Sequence, residues 1–155
     1  MVSSPGVRDG PASVADDLLE SIRARAHANL FWRYLGIEVD AAGEGWIKLR
    51  VPIHDELRNG VGAPVHGGVL ATVVDAAVGG ALGTYGSAAA GGVDQATLDL
   101  NVTYIAAARG DAIFAEGKII RRGRSVAFGE TRVTDASGTL VAVGRATYMI
   151  IQPRT

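Results

Sequence analysis

From Asp94 to Ile151 the chain offers four long strand candidates with almost no chain between them. They are Asp94–Ala107, Ala112–Arg122, Ser125–Thr134 and Thr139–Ile151, rich in β-branched and aromatic residues. Only Arg109-Gly110-Asp111, Gly123-Arg124 and Asp135-Ala136-Ser137-Gly138 separate them. Connections this short cannot carry a crossover, so successive strands must run antiparallel. Leu98, Leu100, Val102 and Tyr104 alternate with Thr97, Asp99, Asn101 and Thr103, which predicts a strand with one buried face. Such a sheet needs an apolar partner to cover it.

The chain holds one segment suited to that task. Val69, Leu70, Val73, Val74, Ala76, Ala77, Val78 and Ala81 leave the stretch from Gly67 to Leu82 without a polar face. It therefore reads as a helix buried on nearly all sides, ended by Gly83 and Gly86. Upstream, Ile37–Ala41 and Trp46–Val51 flank the turn Ala42-Gly43-Glu44-Gly45 and read as a hairpin. The segment from Pro52 to Val65 holds Gly60, Gly62 and Pro64 and reads as a loop. Ser13-Val14-Ala15-Asp16 resembles a helix start, and Leu18, Leu19, Ile22, Ala26, Leu30 and Phe31 recur at helical spacing. This predicts one N-terminal helix over residues 13–34, closed by Gly36. Residues 1–11 read as a flexible tail, residues 83–92 as a Gly/Ala-rich linker, and residues 12–155 as a single domain. The predicted class is α+β, with a curved antiparallel sheet of about six strands wrapped around one long central helix.

Composition narrows the function classes. A formal net charge of −1 over 155 residues gives no electrostatic footprint for nucleic acid. No cysteine occurs, which excludes disulfides and thiolate catalysis. His27, His54 and His66 lack the paired spacing of a zinc site, so no metal is expected. No apolar run reaches the roughly 20 residues needed to span a bilayer. Met1-Val2-Ser3-Ser4-Pro5-Gly6 shows no signal pattern, and a cytoplasmic protein is expected, with no membrane partner.

The chemistry concentrates in His66-Gly67-Gly68-Val69-Leu70-Ala71-Thr72-Val73-Val74-Asp75. Two glycines at a helix start leave backbone N–H groups unshielded, and the helix dipole adds positive potential there. Asp75 is the one ionisable residue of the apolar helix. It lies nine residues after His66, roughly 13 Å along the axis, and the two side chains project on opposite sides. One active site cannot contain both ends of one helix. If Gly67 and Gly68 bind an oxygen that Asp75 helps to attack, Asp75 must come from a second chain, in a two-fold dimer. The plainer reading makes Asp75 a buried cap on a loop or a partner of Thr72. His66 reads as a donor, a loop brace or a base, and Asn59 as an Asx turn or a ligand for a carbonyl or water. Thr97 and Asn101 read as a solvated strand face. Arg121, Arg122 and Arg124 around Gly123 and Ser125 form a turn whose charge suits phosphate.

On these residues the chain resembles the hotdog-fold acyl-CoA thioesterases of the phenylacetic-acid-degradation type. The likeness covers roughly Leu35 to Ile151. It rests on Val65-His66-Gly67-Gly68-Val69 followed by Asp75-Ala76-Ala77, on Thr97 to Tyr104, on Arg122-Gly123-Arg124-Ser125-Val126-Ala127, and on Gly138 to Ala142. The family keeps an Asn six residues before the His and a Gly three before it. Here Asn59 and Gly62 stand one residue further away, with Ala63-Pro64 following Gly62. The resemblance implies hydrolysis of a small-to-medium or aromatic acyl-CoA, with Asp75 activating water or attacking directly. Gly67 and Gly68 would polarise the carbonyl, His66 would support that corner, Asn59 would orient carbonyl or water, and Thr97 would set a hydroxyl beside the carboxylate. Arg122, Gly123, Arg124 and Ser125 would lie near the CoA phosphates. It implies no cofactor beyond CoA as part of the substrate, and a homodimer of composite sites that pairs further into a tetramer. A non-catalytic acyl-CoA binding or sensing protein on the same fold is the alternative. An acyl hydratase is a third reading, but its usual motif differs from the His66-to-Asp75 spacing.

Overall fold

The computed structural model describes residues 14–86 and 93–152. The flexible tail predicted for residues 1–11, Ser13 and most of the linker fall outside the described residues. Two helices come first, α1 (Val14–Ala28) and α2 (Leu30–Leu35), then strands β1 (Glu38–Gly43) and β2 (Trp46–Pro52). A single-turn 3-10 helix, Asp55–Leu57, precedes the long helix α3 (Gly67–Gly83). Strands β3 (Gln95–Tyr104), β4 (Ala112–Arg122), β5 (Val126–Asp135) and β6 (Leu140–Ile150) complete the chain. The strands form one six-stranded sheet in the order β1-β2-β4-β5-β6-β3, and every neighbouring pair is antiparallel. The fold is the α+β hotdog arrangement expected from the four closely linked strands and the one apolar helix.

The N-terminal helix is broken where the sequence reading ran it through. The Asn29 side chain accepts hydrogen bonds from the N–H groups of Phe31 and Trp32, each 3.1 Å, which starts a new helix there. Gly36 closes α2 at φ 72°, a left-handed conformation that suits glycine. A periodicity of apolar residues that continues across Asn29 concealed a cap inside it.

Helix α3 packs across the inner face of the sheet on Val73, Val74, Ala77, Val78, Ala81 and Leu82, all fully buried. The approach is close because Gly117, Gly129 and Gly144 lie beneath it on β4, β5 and β6. A Cβ at Gly117 would overlap the Ala77 carbonyl, and one at Gly129 or Gly144 would meet Val78 or Val74. Backbone cannot step aside as a flexible side chain can, so Gly117→Ala should lower stability by about 3 kcal/mol. Chemical denaturation of the variant checks this; a change under half a kilocalorie would show that α3 rides higher on the sheet.

The two sheet edges are treated differently. Along β1, Arg23 of α1 donates to the carbonyls of Val39 (3.1 Å) and Asp40 (3.3 Å), so a side chain covers that edge. Among the described residues strand β3 pairs only with β6, and no strand lies along its other edge. The face predicted to be buried is also open, with Leu98 at 56% exposure and Tyr104 at 54%. The cause is partly a bulge, since the register slips between Thr97 and Asp99 and leaves Leu98 unpaired. Across the bulge Thr97, paired with the inward-facing Tyr148, shares a face with Leu100, Val102 and Tyr104, which are paired with the inward-facing Ala146, Gly144 and Ala142. The rest of the exposure comes from the position of β3 at the edge of the sheet, beside α3, which Gln95, Thr97 and Tyr104 reach at Gly79, Asp75 and Gly67.

Candidate functional site

The loop before α3 delivers His66 as the helix N-cap, with extended backbone at φ −61° and ψ 135°. Its main-chain N–H is bonded to the Leu57 carbonyl at 2.8 Å, and Val65 N–H to Ala108 at 3.0 Å. The imidazole Nδ1 accepts from the Gly68 N–H at 2.9 Å, which assigns the remaining ring proton to Nε2. Of the two glycine amides, that of Gly67 has no acceptor among the described residues, while that of Gly68 is held by His66. A carbonyl oxygen arriving here would meet the Gly67 amide directly and would compete with His66 for the Gly68 amide. Tyr104 secures the same corner by donating to the Gly67 carbonyl at 3.1 Å.

Seven residues on, Asp75 sits on the same face of α3 as Gly68, roughly 10 Å further along the axis. The helix is not closed on all sides, because Gly68, Thr72 and Asp75 form a strip that is only partly covered. Thr72 gives its proton to the Gly68 carbonyl (2.9 Å) and is not the partner of Asp75. Instead Oδ1 of Asp75 receives two hydroxyls, Thr97 at 3.0 Å and Tyr148 at 2.7 Å. Tyr148 also stands 2.8 Å from the Asp75 main-chain oxygen, and its single proton favours the charged carboxylate. Oδ2 has no hydrogen-bond partner among the described residues. Burial raises the Tyr148 phenol above its ordinary pKa, and the hydrogen bond and charge of Asp75 add to the rise. The phenol therefore stays protonated and remains a donor.

The side chains of Asp75, Thr97 and Tyr148 line a cavity of about 490 Å³ walled by α1 and α2. That volume lies in the range of small-molecule sites. A carboxylate with one oxygen fixed and the other free, at the edge of such a cavity, can take a proton from water or attack an electrophilic carbon.

The other sequence-predicted residues are placed less centrally. Asn59 is exposed, with its N–H on the Pro64 carbonyl (3.1 Å) and its amide at 3.5 Å from the same oxygen. Within one chain it joins neither Asp75 nor the glycine pair. Gly123 closes the turn after β4 through its N–H to the Val126 carbonyl, 2.8 Å. Arg122 and Arg124 are exposed there, and Arg122 lies over the Tyr85 ring at 5.1 Å from its centre. Tyr85 follows the C-terminal end of α3, so the arginines belong to that end of the helix and the glycine pair to the other, with Asp75 about midway between. Among the described residues no cluster of His, Cys, Asp or Glu could hold a metal ion. No helix among them is long and apolar enough to cross a membrane.

Tyr148 is the site residue that sequence reasoning missed. Its alternation with Ala142, Gly144 and Ala146 is a signal for the inward face of β6, but nothing in the sequence links it to Asp75, 73 residues away.

Comparison with known proteins identifies the family and the fold. The thioesterase superfamily model matches residues 64–142, from just before the helix cap into β6. An inferred esterase of Halobacterium salinarum is 37% identical over 146 residues, covering 89% of this chain and 95% of its own. A medium/long-chain acyl-CoA thioesterase of Salmonella typhimurium is 27% identical over 131 residues, covering 77% of this chain and 84% of its own. In three dimensions the fold matches that of the Escherichia coli PaaI protein, from the phenylacetic acid degradation operon, with a TM-score of 0.78. That match covers 90% of this chain and 97% of the other at 18% identity.

Proposed function

This chain belongs to the thioesterase superfamily, and from that premise we propose that it hydrolyses an acyl-CoA to the free acid and coenzyme A. The observation that carries the proposal is Asp75, held through Oδ1 by Thr97 and Tyr148 and facing a cavity with Oδ2 free. The name of the Salmonella relative, a medium/long-chain acyl-CoA thioesterase, supports acyl-CoA as the substrate class; that the acyl group is small-to-medium or aromatic is part of the proposal.

The reaction needs a base or nucleophile and a place for the charge that builds on the carbonyl oxygen. Asp75 supplies the first, by taking a proton from the attacking water or by adding to the carbonyl carbon itself. The amide-lined start of α3 supplies the second, with the Gly67 N–H free to donate and the helix dipole behind it. Each donor of this kind contributes roughly 3–4 kcal/mol to the transition state. The thiolate of CoA leaves as the carbonyl re-forms. Arg122 and Arg124 would bind the phosphates of CoA, and Ser125 and Gly123 would shape that turn.

One chain does not hold the whole site, because about 10 Å of helix separates Gly68 from Asp75. A two-fold dimer with antiparallel α3 helices brings the carboxylate of each chain over the glycines of the other. The free edge of β3, with Leu98 and Leu100 exposed beside it, supports such pairing.

A mixing experiment tests both halves of this reading. Gly68→Val adds a side chain where Cβ alone would lie 2.9 Å from His66 Nδ1, and so spoils the glycine corner. Asp75→Asn spoils the other corner. Each variant alone should be almost inactive in an assay of thiol release from acyl-CoA. Co-expressed and mixed at random, they should recover about a quarter of parental activity, because half the dimers carry one intact site of two. No recovery in verified mixed dimers would assign the site to a single chain.

A further inference from the structure

The helix start at His66-Gly67-Gly68 contains two peptide groups with different partners. The first joins His66 to Gly67. Its N–H has no acceptor among the described residues, and its carbonyl accepts the Val69 N–H at 2.9 Å. The second joins Gly67 to Gly68. Its N–H is held by His66 Nδ1 at 2.9 Å, and its carbonyl accepts the Tyr104 hydroxyl at 3.1 Å.

That last bond meets no structural need. A helix start leaves N–H groups without partners, whereas its carbonyls are bonded by the chain one turn on. Tyr104 nonetheless directs its single proton to such a carbonyl, although its ring is more than half exposed and solvent could take the proton instead. Gly67 makes room for the phenol, since a Cβ there would lie 3.3 Å from the Tyr104 ring. Thr97, which bonds Asp75, lies on the same strand, so β3 supports both corners of the proposed site.

A peptide group is a rigid plane with its carbonyl and its N–H on opposite edges. A hydrogen bond received at the oxygen makes the N–H of the same peptide a stronger donor. Tyr104 therefore acts on the Gly68 N–H. The Gly67 N–H belongs to the neighbouring plane and is not touched.

We infer that Tyr104 is a positioning residue for the hydrolysis, orienting and strengthening the Gly68 N–H as the second donor to the oxyanion. The inference rests on the acyl-CoA reading above. In the resting site His66 occupies this N–H. As charge builds on the substrate oxygen, that oxygen takes the N–H over, and the Gly67 and Gly68 amides donate together. The gain is made in the transition state and not in substrate binding. Losing a whole donor of this kind costs about 10²–10³-fold in kcat. Linked hydrogen bonds strengthen one another by about 10–30%, which on that logarithmic scale is roughly two- to eightfold.

Tyr104→Phe tests this on the full-length protein, because it keeps the ring and removes only the hydroxyl. With hexanoyl-CoA, octanoyl-CoA and benzoyl-CoA, kcat should fall by about two- to eightfold while KM stays the same. A second measurement reads the peptide itself. In nitrogen–proton correlation spectra the Gly68 amide nitrogen should move upfield in the variant, by more than that of Gly67. If Tyr104→Phe does not fold, a ring-fluorinated tyrosine at this position, a stronger donor, should raise kcat and move Gly68 downfield. Unchanged kcat, a change confined to KM, or a fall in kcat with Gly68 unmoved would overturn the inference. A parent protein that hydrolyses none of these esters would overturn the acyl-CoA reading on which it rests.

Discussion

Asp75→Asn should lower kcat for thioester hydrolysis by about 10²–10⁴-fold and leave KM nearly unchanged. The substitution keeps the size of the side chain and an oxygen able to accept from Thr97 and Tyr148, at 3.0 and 2.7 Å in the parent. What it removes is the negative charge shared with Oδ2, the oxygen that has no hydrogen-bond partner among the described residues. An amide neither takes a proton from water at neutral pH nor attacks a carbonyl. Thermal unfolding and gel filtration of the variant should match the parent, since the buried face of α3 is untouched. A folded variant with parental turnover would remove Asp75 from the reaction.

Tyr148→Phe should cost about 10–100-fold in kcat, again with little change in KM. The estimate follows from losing one hydrogen bond to a charged group, about 1.5–3 kcal/mol, at about 1.4 kcal/mol per factor of ten. Thr97 alone would then hold Oδ1, and the free oxygen would no longer be fixed in direction. Gly79→Ala should reproduce the defect from the opposite side, because its Cβ would sit 2.7 Å from the Tyr148 hydroxyl and displace the ring. Parental kcat in both variants would show that Thr97 is sufficient. Tyr148 also leaves a mark on stability. Burial raises the phenol in the folded protein, so its contribution is complete below the unfolded value of about 10 and declines as pH rises beyond it. Alkaline unfolding of Tyr148→Phe should lack that part of the decline.

Local signals carried much of this protein, and their limits are physical. The turns around Gly110, Gly123 and Gly138 made the last four strands antiparallel, because so few residues allow no other path. The uniform apolarity of residues 69–82 marked the one helix able to cover them. Asn29 was hidden because capping depends on a single side chain, whereas periodicity sums over many. The open face of β3 was hidden because alternation says which side chains share a face, not whether anything lies against it. The bulge at Leu98 brings Thr97 into phase with Leu100, onto the face that meets Asp75. Distance along the chain concealed the remaining parts of the site. Arg25, Gln95 and Tyr148 reach one cavity from α1, β3 and β6, and no spacing rule connects residues so far apart. The single bond of His66 to the Gly68 amide was equally invisible, since it depends on the rotamer of one ring.

Helices α1 and α2 form one wall of the cavity, while Asp75, Thr97 and Tyr148 all come from segments after residue 66. One wall of the cavity and the carboxylate at its edge thereby come from separate lengths of polypeptide. On the proposed acyl-CoA activity, substitutions that reshape Ile22, Ala26 or Trp32 should change which acyl groups are accepted while Asp75, Thr97 and Tyr148 stay as they are. A lineage carrying this domain could diversify its diet of substrates by drifting in its first forty residues, with no interval of lost catalysis between one preference and the next.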